Sequence, residues 1–265
     1  MSNTIQQSLW LSNLRAIATI TVIMLHVAAP ILYEFNEVSL TTWNIGNIYD
    51  GFTRFCVPIF FIISGSLLLN KDYELKEFIS NRFLKLIPPF IFWSIIYIVY
   101  GIINSGIKLH YFTDGCIYVL EKLFTGSEYH LWFVYTIIGL YLFVPILRKW
   151  IKHSTKNEVL YFLIIWGVTI IYAIPFLGKN LPQIYLTNFS GYLGYMVLGY
   201  YLSNIAPVKK YIAFLMFLLG TATTIFGTYY LTTRDGSFNV YFYGYLTPNV
   251  LISSIGAFLI IKELN

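Results

Sequence analysis

Apolar and polar positions in this chain come in blocks rather than in residue-by-residue alternation. A helix needs about 20 apolar residues to span the hydrocarbon of a bilayer. Runs of that order recur at 9–33, 51–70, 83–103, 131–150, 158–177, 184–203, 210–231 and 244–262. Most are bounded by Lys, Asn, Gly or Pro, and 34–50 reads as a connecting loop. Trp10, Trp43, Tyr49, Tyr73, Tyr129 and Trp150 gather at the ends of the runs, as an aromatic belt requires. One further segment, 112–124, is short and mixed (FTDGCIYVLEKLF) and predicts an interfacial helix rather than a span. The pattern predicts an all-α fold, a polytopic membrane bundle of about eight transmembrane helices. It predicts one membrane domain over residues 1–265, because no polar stretch is long enough to build a second core.

Composition agrees. The chain is 57% hydrophobic and 11% charged, against about 25% charged in a soluble domain. The net charge of +5 does not point to nucleic acid, because the basic residues lie in short loops where they set topology. Lys71, Lys76, Arg82 and Lys85 lie in or beside one loop, Arg148, Lys149, Lys152 and Lys156 in another, and Lys209 and Lys210 in a third. The alternate loops are poorer in cations. The basic loops, and both termini, are therefore expected on the cytoplasmic side. The N-terminal MSNTIQQSLW lacks the positive start of a secretory signal, so the first apolar run reads as a retained helix. Cys56 and Cys116 are too few for a disulfide framework. Both fall near the outer face, where they form one disulfide or serve as unpaired apolar fillers.

Some residues in the apolar runs are costly there. LRAIATITVIMLH holds Arg15 and His26 in the first run. Eleven residues make three helical turns plus about 20°, so the two share a stripe and stand about 16 Å apart. Ionisable groups at such depth face a bundle interior or an aqueous cavity and mark active sites or pathways. Alone, Arg15 also reads as a snorkelling anchor, and His26 as a buried partner of a neighbouring helix. In NRFLKLIPPFIFW, Arg82 and Lys85 lie three apart on one helical face, and Pro88 with Pro89 then breaks or bends the helix. Arg54 stands at the outer end of the second run, free to snorkel or to pair with Asp50, Glu128 or Asp114. His130 opens the fourth run. Arg15, Arg82, Lys85 and Arg148 would make a basic mouth toward the cytoplasm that suits a polyanionic donor. A histidine farther out could deprotonate a hydroxyl. There is no HExxH, CxxC, P-loop or GxSxG, so metal, nucleotide-hydrolysis and serine-hydrolase chemistry gain no support. The GYLG at 191–194 reads as close helix packing.

These residues carry a resemblance. LSNLRAIATITVIMLHVAAP resembles the first helix of the acyltransferase-3 family of integral membrane acyltransferases, whose hallmark is a basic residue and a histidine at the spacing of Arg15 and His26. VPIFFIISGSLLL is similar to its second helix, with Phe60, Phe61, Ser64 and Gly65 at matching places. NRFLKLIPPFIFW resembles its basic segment running into proline, and HLWFVYTIIGLYLFVPILRKW its later Trp-Phe helix. The resemblance covers residues 9–203 and fades beyond. Nothing before the final IIKELN resembles the family's last pair of helices, so the expectation is a chain that lacks them.

The resemblance implies an acyl-CoA-dependent O-acyltransferase of the bacterial cytoplasmic (inner) membrane. It would move an acyl group, usually acetyl, from cytoplasmic acyl-CoA to a hydroxyl of an envelope glycan or lipid-linked saccharide. His26 matches the essential histidine and Arg15 the basic member of its motif. Arg15, Arg82 and Lys85 would hold the phosphates of acetyl-CoA, with Lys85 standing where arginine is more usual. Arg54, Trp132 and His130 would shape the acceptor side. No metal is expected. The rival from another class is a membrane carrier of a polyanionic or lipid-linked saccharide, in which buried Arg and His gate a pathway. An inactive relative with a structural role is the third reading.

Overall fold

The computed structural model describes residues 2–105, 112–174 and 191–264. Among them all regular structure is helical. The helices are α1 (Ser2–Tyr33), α2 (Leu40–Thr53), α3 (Cys56–Leu68), α4 (Leu75–Ser105) and α5 (Phe112–Thr125). They continue with α6 (Trp132–His153), α7 (Lys156–Tyr172), α8 (Leu193–Asn204), α9 (Lys210–Asp235) and α10 (Pro248–Glu263). Single 3₁₀ turns at Tyr129–Leu131 and Tyr241–Tyr243 precede α6 and α10. The helices form two compact units, residues 1–70 with 154–265, and residues 71–153.

Local chemistry explains the helix ends. Ser39 caps α2, its hydroxyl accepting from the Thr42 N–H at 3.1 Å. Thr155 and Glu158 make a reciprocal capping box at the start of α7. Gly236, at φ 67°, takes the left-handed conformation that ends α9. Pro248 sits in the first turn of α10, where its missing N–H costs nothing.

Six stretches among the described residues are long and apolar enough to cross a membrane. They are Leu9–Tyr33, Leu40–Leu68, Leu75–Asn104, Tyr129–His153, Lys210–Asp235 and Tyr241–Glu263. The expected spans at 158–177 and 184–203 lie partly outside the described residues, and α7 and α8 are their described parts. Eight spans are therefore not confirmed among the described residues.

Two expectations need correction. Most of the loop expected at 34–50 is helix, because α2 begins at Leu40. Its Asn and Asp residues look like loop residues by composition, yet Asn47 and Asp50 are buried. Asn47 Nδ2 donates to the Ile225 carbonyl at 3.0 Å, and its side-chain oxygen accepts from the Tyr243 hydroxyl at 2.6 Å. Of the break or bend expected at Pro88 and Pro89, the break is absent, because α4 runs through both. Adjacent prolines free the carbonyls of only two neighbouring residues one turn back, and the helix continues past them.

In the first unit α1 packs on α2, α3 and α10 through Leu14, Ala18, Thr21, Leu25, Ala28 and Leu32, all buried. Small residues set the other crossings. A side chain on Gly65 of α3 would run into the Met196 backbone of α8, and one on Gly199 into the Ile62 backbone. The two helices therefore approach to backbone contact, as membrane helices do at small residues. The GYLG stretch serves packing, as expected: Gly194 lies against the Trp166 indole, whose N–H donates to the Gly191 carbonyl at 2.9 Å. In the second unit α4 packs on α5 and α6. The Tyr135 hydroxyl of α6 donates to the Leu123 carbonyl of α5. Ile117, Leu120 and Phe124 of α5 are exposed, which suits the interfacial helix expected there. Cys56 and Cys116 are both free thiols, the first buried and the second exposed.

Candidate functional site

The first candidate element is one flank of α1. Successive helical residues turn by about 100°, which puts Arg15 and His26 about 20° apart. Both stand about 100° or more round from the buried stripe at its Leu14, Leu25 and Leu32 positions. Arg15 is exposed and His26 half-buried. The opposite flank of α1 faces α2. There Ile23, Met24, Val27, Ala28 and Ile31 line an apolar groove of about 340 Å³ with Ile45, Gly46 and Tyr49. The stripe expected from the spacing therefore exists, and it lies away from α2.

A buried polar cluster joins α2 to the segment before α10. Asn47, Asp50 and Arg54 recur at spacings of three and four, one face of a helix. Arg54 Nε donates to Asp50 Oδ1 in an ion pair, with the Arg54 side chain 14% exposed and Asp50 fully buried. The Arg54 guanidinium lies 4.2 Å from the centre of the Tyr243 ring and 5.6 Å from that of Tyr245. Its Nη1 points to the Tyr243 carbonyl at 3.4 Å and the Tyr245 hydroxyl at 3.5 Å. The Tyr195 hydroxyl of α8 donates to the Tyr245 carbonyl at 2.6 Å. Asn249 Nδ2 donates to the Thr224 hydroxyl and the Phe242 carbonyl at 2.8 and 2.6 Å. Partners of this kind are how charge persists in an apolar bundle.

Of the acids considered for Arg54, the partner is Asp50. Sequence reading missed Tyr243, Tyr245, Tyr195 and Asn249. For Tyr243 and Tyr245 the local signal is the aromatic cluster at 241–245, which reads equally as an interfacial belt.

The second unit holds the remaining candidates. Tyr73 gathers cations at one end of α4 and α6. Arg82 lies 5.9 Å and Arg148 5.5 Å from its ring centre, both within cation–π range. Arg148 is buried and donates Nη2 to the Tyr73 carbonyl, while its Nη1 has no hydrogen-bond partner. Lys152 pairs with exposed Asp72 at 2.8 Å. The Lys152 ammonium holds the Asp72 carboxyl below its ordinary range. Arg82 and Arg148, two of the four cations expected at a basic mouth, thus meet at Tyr73.

Lys85 and His130 share a different place. Both line a pocket of about 320 Å³ with Pro89, Phe90, Trp93 and Tyr97. The His130 and Tyr97 rings meet edge to face at 5.0 Å. Trp132 opens instead onto a second cleft of about 660 Å³, between the end of α5 and the start of α6. His130 and Trp132, expected to act together, thus face separate cavities. Arg15, His26 and Arg54 belong to the first unit, and Arg82, Lys85, His130, Trp132 and Arg148 to the second. No cluster of three or more His, Cys, Asp or Glu that could hold a metal occurs among the described residues.

A family model described as an acyltransferase domain (acyltransferase-3) covers residues 8–265. The match runs through α9 and α10, which corrects the expectation that the resemblance fades after residue 203. No curated protein and no solved structure matches the chain.

Proposed function

The chain belongs to the acyltransferase-3 family of membrane acyltransferases, and on that premise we propose that it moves an acetyl group from cytoplasmic acyl-CoA to a hydroxyl of a cell-envelope glycan. The observation that carries this reading is the single flank of α1 that presents Arg15 and His26 together. In this reading residues 1–265 act as one membrane domain of the bacterial cytoplasmic membrane, with both termini inside. Arg15, Arg82 and Lys85 bind the donor phosphates. Arg82 supplies a planar fork and Lys85 a point charge.

His26 is the base. Its neutral imidazole takes the proton of the acceptor hydroxyl as that oxygen bonds to the thioester carbonyl carbon. The carbon–sulfur bond then breaks, and the departing CoA thiolate takes the proton back from His26. A relay through an acyl-histidine is the alternative route, in which the imidazole attacks first and the hydroxyl second. Trapping an acylated His26 peptide in a single turnover supports the relay, and repeated failure to trap one favours direct transfer. Arg54, His130 and Trp132 shape the acceptor side.

The test is CoA release by the purified protein in nanodiscs, with acetyl-CoA and a mixed envelope-glycan fraction. Removing a general base lowers rates by about 10²–10⁴-fold, so His26→Ala is expected to abolish acceptor-dependent release at ordinary enzyme concentrations. Arg15→Ala is expected to weaken acetyl-CoA binding. Release that survives His26→Ala removes His26 from the chemistry. Absence of both release and acetyl-CoA binding in the unaltered protein points to the carrier.

A further inference from the structure

Asp50 lies at the depth of His26, and the Arg54 backbone about 4.5 Å beyond it. Trp43 Nε1 donates to the Leu32 carbonyl at 3.0 Å, and a Cβ on Gly46 would stand 3.2 Å from Ile31. α1 and α2 therefore run past each other from a shared fixed level. Asp50 is four residues along from Gly46 and His26 five residues back from Ile31. At 1.5 Å per residue these are offsets of about 6 and 7.5 Å in the same direction. Charge this deep in a span is costly and marks function.

Asp50 Oδ2 is buried and has no hydrogen-bond partner, so the carboxylate serves Arg54 alone. Arg54 is held by Nε to Asp50, by Nη1 toward Tyr243 and Tyr245, and by the Tyr243 ring on its face. No acceptor among the described residues lies against Nη2, and the side chain keeps 14% of its surface. One edge of a firmly held guanidinium is therefore presented outward.

We propose that Asp50 is a positioning residue that makes this edge a receptor for an uncharged oxygen, a hydroxyl or carbonyl, and not for an anion. An anion placed at Nη2 meets the attraction of Arg54 and, a few ångströms behind it, the repulsion of a carboxylate that no other donor screens. A neutral oxygen needs only the N–H and loses nothing to Asp50. Resting on the acyltransferase reading, the oxygen is an acceptor-sugar hydroxyl at the level of His26. The same neutrality makes this locus unsuited to passing a polyanion.

The experiment uses the full-length protein in detergent, with sulfate as probe at constant ionic strength and thermal unfolding as readout. The unaltered protein and Arg54→Gln are expected to respond to sulfate alike. Asp50→Asn keeps an acceptor for Nε but removes the negative charge. It is expected to gain a saturable sulfate response that disappears in Asp50→Asn/Arg54→Gln. An Arg54-dependent sulfate response in the unaltered protein overturns the proposal, as does folded Asp50→Asn that behaves like the parent.

If Asp50→Asn does not fold, Arg54→Lys decides. It keeps the charge balance and loses the outward edge. The apparent KM for glycan is then expected to rise about tenfold, the weight of one hydrogen bond to a charged group, with kcat within about twofold. An unchanged KM overturns the assignment. The sulfate result does not depend on catalysis, so failure of the acyltransferase reading is separable from failure of this one.

Discussion

Two ion pairs in this protein are made of the same chemistry and do opposite things. Asp50–Arg54 is buried inside a span, Asp50 in the last turn of α2 and Arg54 its C-cap four residues on, with tyrosines closing round it. Lys152–Asp72 is open, with side chains 60% and 72% exposed. The first is costly to desolvate and must be satisfied locally, so its geometry is fixed by the atoms around it. The second is solvated whether paired or not, and contributes little. Charge inside the bundle specifies structure, whereas charge at the ends of α4 and α6 sets a local field. Tyr73 illustrates the latter role by holding Arg82 and Arg148 near its ring, with Asp72 beside Lys152 and in the field of Arg148.

The comparison breaks most visibly if single removals at the buried pair are harmless. Arg54→Ala strands a buried carboxylate and is expected to cost about 3–5 kcal/mol, read as a large fall in unfolding temperature or loss of a monodisperse elution peak. The double replacement Asp50→Leu/Arg54→Met is expected to be the milder lesion, since no charge is then stranded. If it is worse than Arg54→Ala, the cluster contributes more than paired charge. Trp43→Phe removes a donor from the buried Leu32 carbonyl while keeping most of the ring, and is expected to cost about 1–3 kcal/mol in the same assay.

Lys152→Ala is expected to shift unfolding only slightly at neutral pH, and less still at high salt. Its partner gives a pH effect with a clear sign. Asp72 has a lowered carboxyl in the folded state, so its contribution is present above the ordinary carboxylate range and is lost as pH falls through the lowered value. Lys152→Ala should remove that small acid-side slope. A slope that persists assigns it to another group.

Much of the fold was legible because lipid demands long apolar runs, and those runs recur where α1, α4, α6, α9 and α10 lie. Asp50 was among the acids named for Arg54, alongside Glu128 and Asp114. What composition hid was α2. Asn47 and Asp50 are polar because they bind Ile225, Tyr243 and Arg54, partners that no local window contains. The tyrosines at 243 and 245 were hidden for the same reason. Lys85 and His130 were each visible as a charge out of place, but their shared pocket arises from the packing of α4 on α6. The family match supplied what spacing did not, a common membership for α9 and α10 with the rest of the chain.

The four-residue spacing of Asp50 and Arg54 also bears on how the chain is made. Tyr243 lies 189 residues beyond Arg54, so during synthesis the aromatic cover arrives late. The ion pair needs no such wait, because one helical turn is enough to close it. The segment Leu40–Leu68 can therefore leave the ribosome and enter lipid as an electrically neutral rod, its two charges already cancelled. The tyrosine roof is then added to a pair that insertion has already formed.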